Sequence, residues 1–448
     1  MNLVVELIKY MMLLLIGIYT YYSFTVFRFK NKKQQDRIYA ILTAILFVLH
    51  FIGYFTLFIQ SGSTKIVYLY GGELILLIMV LVLYQVIYPK LSKLLLRNML
   101  MLLVIGFIIQ TRLSFDKSVK QVLIAAGSFL VCLIVPYLMH KLQNMSRYGW
   151  MYGGIGIGIL LLVLIIGTTT HGATNWLNIA GISIQPSEFV KLLYVLSIAS
   201  LLAEGADFKK VCFISAMAGL NVIVLVLSRD LGGALIFFIT YIFVLYAASM
   251  RPLYLFSGLI GGSLAAIAAY QLFGHVRVRV LAWKNPFAYI DNEGYQITQS
   301  LFAIGTGGWF GMGLNRGLPT GIPVVDSDFI FSAISEELGG LFAICIILIY
   351  ASCFIMFINI ALKEEDSFRR LLSVGFSVMF AFQVILSIGG VIKFIPSTGV
   401  TLPLISVGGS SILSVIFMFM MLQGVYLSGR TRTREAKLQS SADAEGSR

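Results

Sequence analysis

The chain has 448 residues, of which 58% are hydrophobic and only 12% are charged. Soluble domains carry about 45–50% apolar and about 25% charged residues, so this chain has too few charges to cover a water-facing surface of its size. The composition excludes a soluble enzyme, a disordered chain and a collagen-like fibre. It predicts an all-α polytopic membrane protein, in which the 42 glycines would let neighbouring helices approach closely.

Thirteen apolar runs are candidates for helices that cross the hydrocarbon core, which takes about 20 residues. They are too long for β-barrel strands and lack the alternation of such strands. In chain order the runs span 3–26, 38–60, 66–88, 98–112, 119–140, 149–170, 186–203, 211–228, 231–249, 252–273, 328–360, 371–392 and 404–428. An odd number of spans places the two termini on opposite sides of the membrane.

Basic residues fall in every second loop between these runs. Because cytoplasmic loops carry the excess of Lys and Arg, this alternation places the N-terminus outside and the C-terminus in the cytoplasm. It also accounts for most of the net charge of +13, so nucleic-acid binding is not needed to explain that charge. The exception is the short loop 113–118, where Arg112, Lys117 and Lys120 lie on the predicted outer side.

One predicted outer segment, 274–327, is far longer than an ordinary connection. It contains aromatic residues, glycines and charges of both signs, so we expect an ordered lobe at the outer face. The tail 429–448 begins at Gly429 and ends in QSSADAEGSR, a polar sequence that predicts disorder in the cytoplasm.

Charged residues inside or at the ends of spans are costly and suggest function. The first group follows the outer loop 171–185, where Gln185 precedes a proline that suits the first turn of a helix. Glu188 and Lys191 are three residues apart and can pair on one face of that helix. The alternative is a capped helix start with a surface ion pair. Because Lys191 lies one turn inside an otherwise uncharged span, we expect it to face protein or a water-filled cavity.

Two further groups lie in predicted outer segments. Arg229 and Asp230 connect two spans, and a tight turn with a local ion pair is the alternative interpretation there. The segment 305–314 is glycine-rich like a phosphate-binding loop, but it does not follow a strand of a βαβ unit. We therefore expect re-entrant or tightly packed backbone rather than a nucleotide site.

Carboxylates cluster where the lobe meets the long predicted helix 328–360. Asp328 lies at its mouth, and Glu336 and Glu337 lie about two turns deeper, roughly 12 Å at ~1.5 Å per residue. Three carboxylates entering a membrane helix favour a functional interpretation. A last group combines Gln383, Lys393 and Thr398 with small residues at 406–411, which are also compatible with ordinary helix packing.

These groups, in this order, resemble the motifs of the SEDS family (shape, elongation, division, sporulation), which includes FtsW, RodA and SpoVE. The matching sequences are GATNWL, QPSEFVK, GYQITQS, GTGG, SDFIF, EELG, PSTGVTLP and GGSS. The resemblance covers about residues 98–428. We therefore predict a SEDS core of ten helices over 98–428, preceded by a three-helix extension over 1–97 and followed by the tail.

The resemblance implies a peptidoglycan glycosyltransferase that polymerises lipid II at the outer face of the bacterial cytoplasmic membrane. It implies a class B penicillin-binding protein, a transpeptidase, as partner. It makes Asp328 the catalytic residue, and by motif position it also places in the central cavity Trp176, Gln185, Glu188, Lys191, Asp230 and Thr398. The chain departs from the family pattern at Asp326, where a histidine is usual, at Asn175, where a basic residue is usual, and at Arg229, where a proline is usual.

The chemistry of the residues agrees with this resemblance. The acceptor hydroxyl must lose a proton, and a carboxylate at the membrane surface suits that role. The leaving pyrophosphate needs positive charge, for which the candidates are Lys191, Arg277, Arg279, Lys393 or a divalent cation such as magnesium or manganese. A single displacement inverts the anomeric centre and needs no covalent nucleophile. His171 and His275 form no ligand set, so we assign no other cofactor.

Two other functions could use the same charges. A flippase would move lipid II across the membrane, and a non-catalytic scaffold would recruit the transpeptidase.

Residues 1–97 contain Glu6, Lys9 and Glu73 but none of the motifs. We predict a docking or regulatory role for this extension, with polymerisation retained after its removal, and the alternative is that it only helps insertion and stability.

Overall fold

The protein is described here from a computed structural model, which describes residues 2–29, 31–141, 143–170, 173–179 and 182–446. Side chains are described between residues 4 and 429 of these ranges, except for those of residues 143, 170, 179 and 182. The helices are α1 (Asn2–Thr25), α2 (Lys32–Ser61), α3 (Thr64–Ile87), α4 (Lys93–Leu113), α5 (Phe115–Cys132), α6 (Val135–Lys141), α7 (Gly149–Ile166), α8 (Ser187–Ala203), α9 (Phe208–Leu227), α10 (Leu231–Ser249), α11 (Pro252–Leu272), α12 (Gly274–Lys284), α13 (Tyr295–Gly307), α14 (Ile330–Leu338), α15 (Gly340–Lys363), α16 (Ser367–Val391) and α17 (Gly409–Gly446).

Twelve helical segments in the described part of the chain are long and apolar enough to cross a membrane, which confirms the predicted all-α polytopic fold. The predicted span 186–203 corresponds to α8, which has 17 residues and is shorter than the other twelve. Nearly every residue of α8 is buried within the protein. A helix that is apolar on all sides belongs inside a bundle, and α8 has that place here.

The prediction of one continuous helix over 328–360 is wrong. The helix breaks at Gly339, which has a φ of +91°, and continues as α15. A Cβ atom at Gly339 would lie 2.4 Å from the amide nitrogen of Gly311, so the backbone of another segment occupies the space of a side chain. The amide of Gly340 also donates to the carbonyl of Gly308 at 2.8 Å. Packing against this distant loop therefore ends α14 after nine residues.

The same contacts confirm the tightly packed backbone predicted for the glycine-rich segment. A Cβ atom at Gly307 would lie 2.1 Å from the carbonyl oxygen of Ser335 on α14. The amides of Met312 and Gly313 donate to the carbonyls of Glu336 and Glu337 at 2.9 and 2.8 Å. The free carbonyls at the end of α14 are thus satisfied by the backbone of this segment.

The predicted outer loop 171–185 contains regular secondary structure. It contributes to a small antiparallel sheet of three strands in the order β1 (Thr168–Thr170), β2 (Ala173–Ile179) and β3 (Ile182–Ile184). Trp176 pairs with Thr168 and Leu177 pairs with Ile184 in the two ladders. The sheet fixes the backbone that leads into α8.

The centre of the bundle is α4, in which every residue from Leu94 to Thr111 is buried. It packs against α2, α5 and α15, and α16 packs against α8, α10 and α15. Along α11, by contrast, none of the residues is buried. α11 is therefore an apolar helix at the surface of the bundle, as expected of a helix that faces lipid.

Helices α1, α2 and α3 join the rest of the bundle through buried polar contacts as well as apolar packing. The hydroxyl of Tyr19 donates to Asn98 at 3.1 Å. Glu73 lies 2.8 Å from His50 and accepts from Tyr54 at 2.5 Å, and Tyr54 in turn lies 2.8 Å from the hydroxyl of Thr111 on α4. These bonds lie inside the membrane segments, where an unsatisfied polar group would be costly.

The segment 274–327 is ordered, as predicted. It contains α12, α13 and short 3₁₀ turns at Pro286–Tyr289 and Pro319–Gly321.

The disordered tail predicted from Gly429 differs from the structure, in which α17 continues to Gly446. Arg, Ala and Glu, which are good helix formers, make up nine of the 19 residues after Gly429, and this local propensity favours continuation of the helix.

Candidate functional site

Several loops meet at one end of the bundle, which we call the site end. The amide of Thr174 in β2 donates to the carbonyl of Ser228 at 2.9 Å. From the lobe, Trp283 Nε1 donates to the carbonyl of Lys393 at 3.1 Å. The amide of Val407 donates to the carbonyl of Asp326 at 2.8 Å. Segments that are far apart in sequence thus form one surface around the start of α14.

Asp328 and Arg279 lie together at this surface, and both are half-buried. Burial lowers the pKa of the Arg279 guanidinium, whereas the negative charges of Asp328 and Asp230 raise it. Arg279 Nη1 donates to the carbonyl of Ser397 at 3.0 Å. A Cβ atom at Gly399 would lie 3.5 Å from Asp328 Oδ2. The loop 396–401 therefore passes beside both the guanidinium and the carboxylate.

Asp230 is the second carboxylate close to Arg279. It caps α10, because its Oδ1 accepts from the amide of Gly233 at 2.8 Å, and its Oδ2 accepts from Asn175 Nδ2 at 3.1 Å. A cap of this kind satisfies one of the free amides at a helix start. The alternative interpretation, a local ion pair between Arg229 and Asp230, is wrong. Arg229 is exposed, and the carboxylate of Asp230 accepts from Gly233 and Asn175 instead.

Thr398 occupies the loop between these two carboxylates. A Cβ atom at Gly232 would lie 3.1 Å from the carbonyl oxygen of Thr398, so the loop packs directly on the start of α10. The Thr398 hydroxyl oxygen is buried and has no hydrogen-bond partner among the described residues. A buried hydroxyl without a partner is costly, so this one is suited to bind water or a polar group of a ligand.

Below this surface lies the pair that spacing predicts in α8. Lys191 Nζ donates to Glu188 Oε1 at 2.8 Å and to Gln383 Oε1 at 3.1 Å, and Ser414 Oγ donates to Glu188 Oε2 at 2.9 Å. Both charged side chains are buried, so the alternative of a surface ion pair is wrong. Gln383 Nε2 donates to the carbonyl of Thr401 at 3.2 Å and connects the pair to the loop 396–401.

Asp326 has a different environment from Asp328, although it is only two residues away. Its carboxylate forms an ion pair with Lys117 near the start of α5. Lys117, an exception to the alternation of basic loops, thus has a counter-ion at the site end. Arg112, the neighbouring exception, forms an ion pair with Glu337 at 2.9 Å.

Glu336 and Glu337 accept hydrogen bonds from a neighbouring segment, which favours a structural role for them, although Glu336 Oε2 is buried and has no partner among the described residues. Glu337 Oε2 accepts from the amide of Asn315 at 3.1 Å, and Glu336 Oε1 accepts from the amide of Leu318 at 2.9 Å. Glu337 also bonds to Arg112. They hold the segment that leads into the 3₁₀ turn Pro319–Gly321, and the break after α14 places them beside that segment.

Two other predicted cations, Arg277 and Lys393, have different surroundings from Arg279. Arg277 is exposed, and its Nη2 donates to the carbonyl of Gln271 at 2.8 Å. Lys393 has a φ of +61° and contributes its carbonyl to Trp283. Arg277 lies two residues from Arg279 on α12, and a 200° rotation about the helix axis separates their side chains.

The remaining predicted residues lie in the elements around the site. Trp176 is half-buried in β2, and its carbonyl accepts from Thr168 Oγ1 at 3.2 Å. The amide of Gln185 donates to Ser410 Oγ at 3.0 Å, which ties the start of α8 to the start of α17. Sequence reasoning missed Ser397 and Trp283 as parts of the site, and the contact of the lobe with the loop 396–401 is not encoded in any local pattern.

The described residues contain no group of three or more His, Cys, Asp or Glu side chains that could hold a metal ion. His171 lies outside the described residues. Burial, together with the positive charges of Arg229 and Arg279, lowers the pKa of His275. The lowered pKa favours the neutral form of His275 over the charged form.

Residues 90–430 match the model of the cell cycle protein family that comprises FtsW, RodA and SpoVE. The chain belongs to this family. It is the SEDS family that the motifs resemble, so that prediction is confirmed.

SEDS relatives with established names resemble the chain over most of its length. It is 33% identical to the peptidoglycan glycosyltransferase RodA of Mycobacterium tuberculosis over 359 residues, covering 74% of this chain and 75% of that protein. It is also 33% identical to the stage V sporulation protein E of Bacillus subtilis over 356 residues, covering 73% of this chain and 94% of that protein. The predicted class of enzyme, a peptidoglycan glycosyltransferase, agrees with these relatives and is confirmed at the level of the family.

Solved structures share the fold. RodA of Thermus thermophilus matches with a TM-score of 0.58 at 23% identity, covering 75% of this chain and 96% of that one. A chain of a peptidoglycan synthase complex that coordinates polymerization and crosslinking matches with a TM-score of 0.63 at 24% identity, covering 75% of this chain and 97% of that one. The fold of this SEDS protein is therefore that of a multi-pass membrane protein.

Proposed function

We propose that this SEDS protein polymerises lipid II into glycan strands, with Asp328 as the general base. The observation that carries the proposal is the convergence of Asp328, Asp230 and Arg279 on the loop 396–401, above the buried pair of Glu188 and Lys191. A carboxylate beside a cation is the arrangement that a glycosyl transfer from a pyrophosphate needs. Membership of a family of glycosyltransferases supports the same reaction.

In the proposed reaction the acceptor hydroxyl attacks the anomeric carbon of lipid II. Asp328 accepts the hydroxyl proton as the carbon–oxygen bond forms, while the bond to the lipid pyrophosphate breaks. The pyrophosphate leaves with the bonding electron pair, and Arg279 is the nearby cation that can stabilise its developing charge. The anomeric centre is inverted in one displacement. Lys191 lies deeper, and we assign it to the pyrophosphate end of the lipid.

A magnesium or manganese ion remains part of this proposal. Such an ion is commonly bound by one or two carboxylates together with substrate phosphates. Asp328 and Asp230 are the carboxylates near Arg279 that could hold it, and it would add positive charge near the pyrophosphate. Polymerisation measured with EDTA, and again after magnesium is restored, tests this part separately.

We further propose that a class B penicillin-binding protein is the partner and that the site end faces outward. The solved complex that coordinates polymerization and crosslinking supports a transpeptidase partner. The alternation of basic loops supports an outer site end, with the N-terminus outside and the C-terminus in the cytoplasm of a bacterial cell. Relatives named RodA, FtsW and stage V sporulation protein E all match, so we propose a role in cell elongation, division or sporulation without choosing among them.

The test is polymerisation of labelled lipid II by the purified chain, with and without its transpeptidase, measured as glycan strands on a gel. We expect strands from the wild type and a rate lower by at least about 10²-fold for Asp328→Asn, since general base catalysis contributes about 10²–10⁴-fold. A flippase would yield no strands but would move lipid II across vesicles. A scaffold would yield strands only from another enzyme and would work equally well with Asp328→Asn.

A further inference from the structure

The segment 309–318, which we call the bridging segment, joins the glycine-rich end of α13 to the turn before α14. On one side it is held by α14, because Glu336 and Glu337 accept from the amides of Leu318 and Asn315. Arg112 adds a bond from Nη2 to the carbonyl of Gly317 at 3.1 Å. These bonds fix the bridging segment against the core.

The other side of the bridging segment is held by α1 and α2, which precede the residues that match the family. Lys9 Nζ of α1 donates to the carbonyl of Gly311 at 3.2 Å. Gln60 Nε2 of α2 donates to the carbonyl of Leu314 at 2.8 Å. The ring of Tyr10 packs against that of Phe310, with 5.8 Å between centroids. Three separate side chains of the extension therefore contact this segment.

The ammonium group of Lys9 is buried and has two hydrogen-bond partners. Its side chain is only 8% exposed, and Nζ also bonds to Glu6 at 2.5 Å. Glu6 in turn lies 3.4 Å from Arg316 of the bridging segment. A buried ammonium group keeps its hydrogen bonds, because a buried charge without a partner is unfavourable. The Gly311 carbonyl and the Lys9 ammonium are thus fixed relative to each other.

The bridging segment connects this contact to Asp328 through α14. The amides of Met312 and Gly313 bond to the last carbonyls of α14, and a Cβ atom at Gly311 would lie 2.4 Å from the carbonyl oxygen of Glu337. The contact is backbone against backbone, so a shift of one element moves the other. Asp328 lies two residues before α14 begins, and catalytic groups must be placed to within about 1 Å.

We infer that Lys9 and Gln60 are positioning residues for the transferase: they hold the bridging segment and, through α14, the position of Asp328. This inference rests on the proposed function of Asp328. It also revises the expectation that polymerisation survives removal of residues 1–97. With the extension removed, the Gly311 and Leu314 carbonyls lose their donors, and we expect a slower enzyme.

The test compares Lys9→Met with Lys65→Met in the full-length chain. Lys65 is an exposed lysine near the start of α3 in the same extension, which makes it a matched control. We expect Lys9→Met to lower kcat by about tenfold, within the about 10²-fold that misplacement can cost, with KM changed less than kcat. Hydrogen–deuterium exchange of peptides covering 309–318 should become faster in Lys9→Met and not in Lys65→Met.

Gln60→Leu is the second variant, because it removes a bond to the same segment without a change of charge and keeps the test open if Lys9→Met does not fold. Unchanged hydrogen–deuterium exchange of the peptides covering 309–318 in these variants would overturn the inference. Faster exchange together with an unchanged kcat would overturn it as well. Failure of the wild-type chain to polymerise lipid II would instead reject the proposed function. In that case the exchange measurement still decides whether the extension holds the bridging segment.

Discussion

At the scale of single residues, Arg279 links the parts of the site. It is half-buried near two carboxylates, Asp328 and Asp230, and it bonds to the backbone of the loop 396–401 through Ser397. Arg277 has the same charge on the same helix but is exposed and bonded to Gln271. Variants of Arg277 and Arg279 therefore separate the effect of a charge near the membrane surface from the effect of a charge beside Asp328.

We expect Arg279→Gln to lower the rate of lipid II polymerisation by about 10²-fold, the loss typical when one stabilising donor is removed. Arg277→Gln should remain within about twofold of the wild type, because exposed charges interact weakly through solvent. Initial rates of both purified variants check this. Equal losses in the two variants would mean that Arg279 acts only through the general surface charge.

The pH dependence of stability provides a second test at this scale. The pKa of His275 is lowered, so the unfolded chain binds a proton more readily than the folded chain below about pH 6.5. Stability should therefore fall as the pH decreases from that value through the lowered pKa. In His275→Gln this part of the dependence should be absent in thermal unfolding curves, and an unchanged curve would count against a perturbed His275.

At the scale of elements, the break between α14 and α15 has its own electrostatic support. Glu337 is 1% exposed and its partner Arg112 is 14% exposed, whereas the pair Lys93–Asp36 at the other end of the bundle is 32% and 45% exposed. Burial decides the cost of breaking such pairs, because an unpaired buried charge has neither water nor a counter-ion.

Arg112→Met should therefore lower the free energy of unfolding by about 3–5 kcal/mol, and the double variant Arg112→Met, Glu337→Gln should lose less than the sum of the single losses. Lys93→Met is the matched control and should have little effect, as exposed pairs contribute about 0–1 kcal/mol. Thermal unfolding in detergent gives the comparison. Additive losses would show that Arg112 and Glu337 do not interact.

The elements themselves differ in how far sequence predicts them. Membrane helices follow from hydropathy, and the pairing of Glu188 with Lys191 follows from their spacing in α8. The break at Gly339 does not follow from any local sequence pattern. It depends on the backbone of Gly311, which lies 28 positions earlier in the chain. The choice of Arg279 over Arg277 depends on how α12 packs on the loop 396–401, which no local pattern encodes.

At the scale of the whole molecule, we propose that the site end faces outward. Two ion pairs involve cations that depart from the pattern on which this orientation is based. Arg112 and Lys117, two of the three exceptions to the alternation of basic loops, pair with Glu337 and Asp326 at the site end. These pairings give both cations a structural role at the site end. The remaining basic loops favour an outer site end.

Reporter fusions after residues 2 and 448 should consequently report opposite sides of the membrane, with the C-terminus in the cytoplasm. If the twelve long helical segments and α8 all cross, the number of crossings is odd and the termini lie on opposite sides, and the alternation of basic loops then favours a cytoplasmic C-terminus. Cytoplasmic signals from both fusions would mean that one of α1, α2 or α3 does not cross.

The central claim is that Asp328, and not the neighbouring Asp326, is the general base. Asp326 is held by Lys117, whereas Asp328 lies with Arg279 at the loop 396–401. The most direct measurement is the initial rate of lipid II polymerisation by purified Asp328→Asn and Asp326→Asn, after both are matched for thermal stability. We predict a loss of at least about 10²-fold for Asp328→Asn and a milder loss for Asp326→Asn. Normal polymerisation by Asp328→Asn, with Asp326→Asn inactive, would contradict the account and make Asp326 the base.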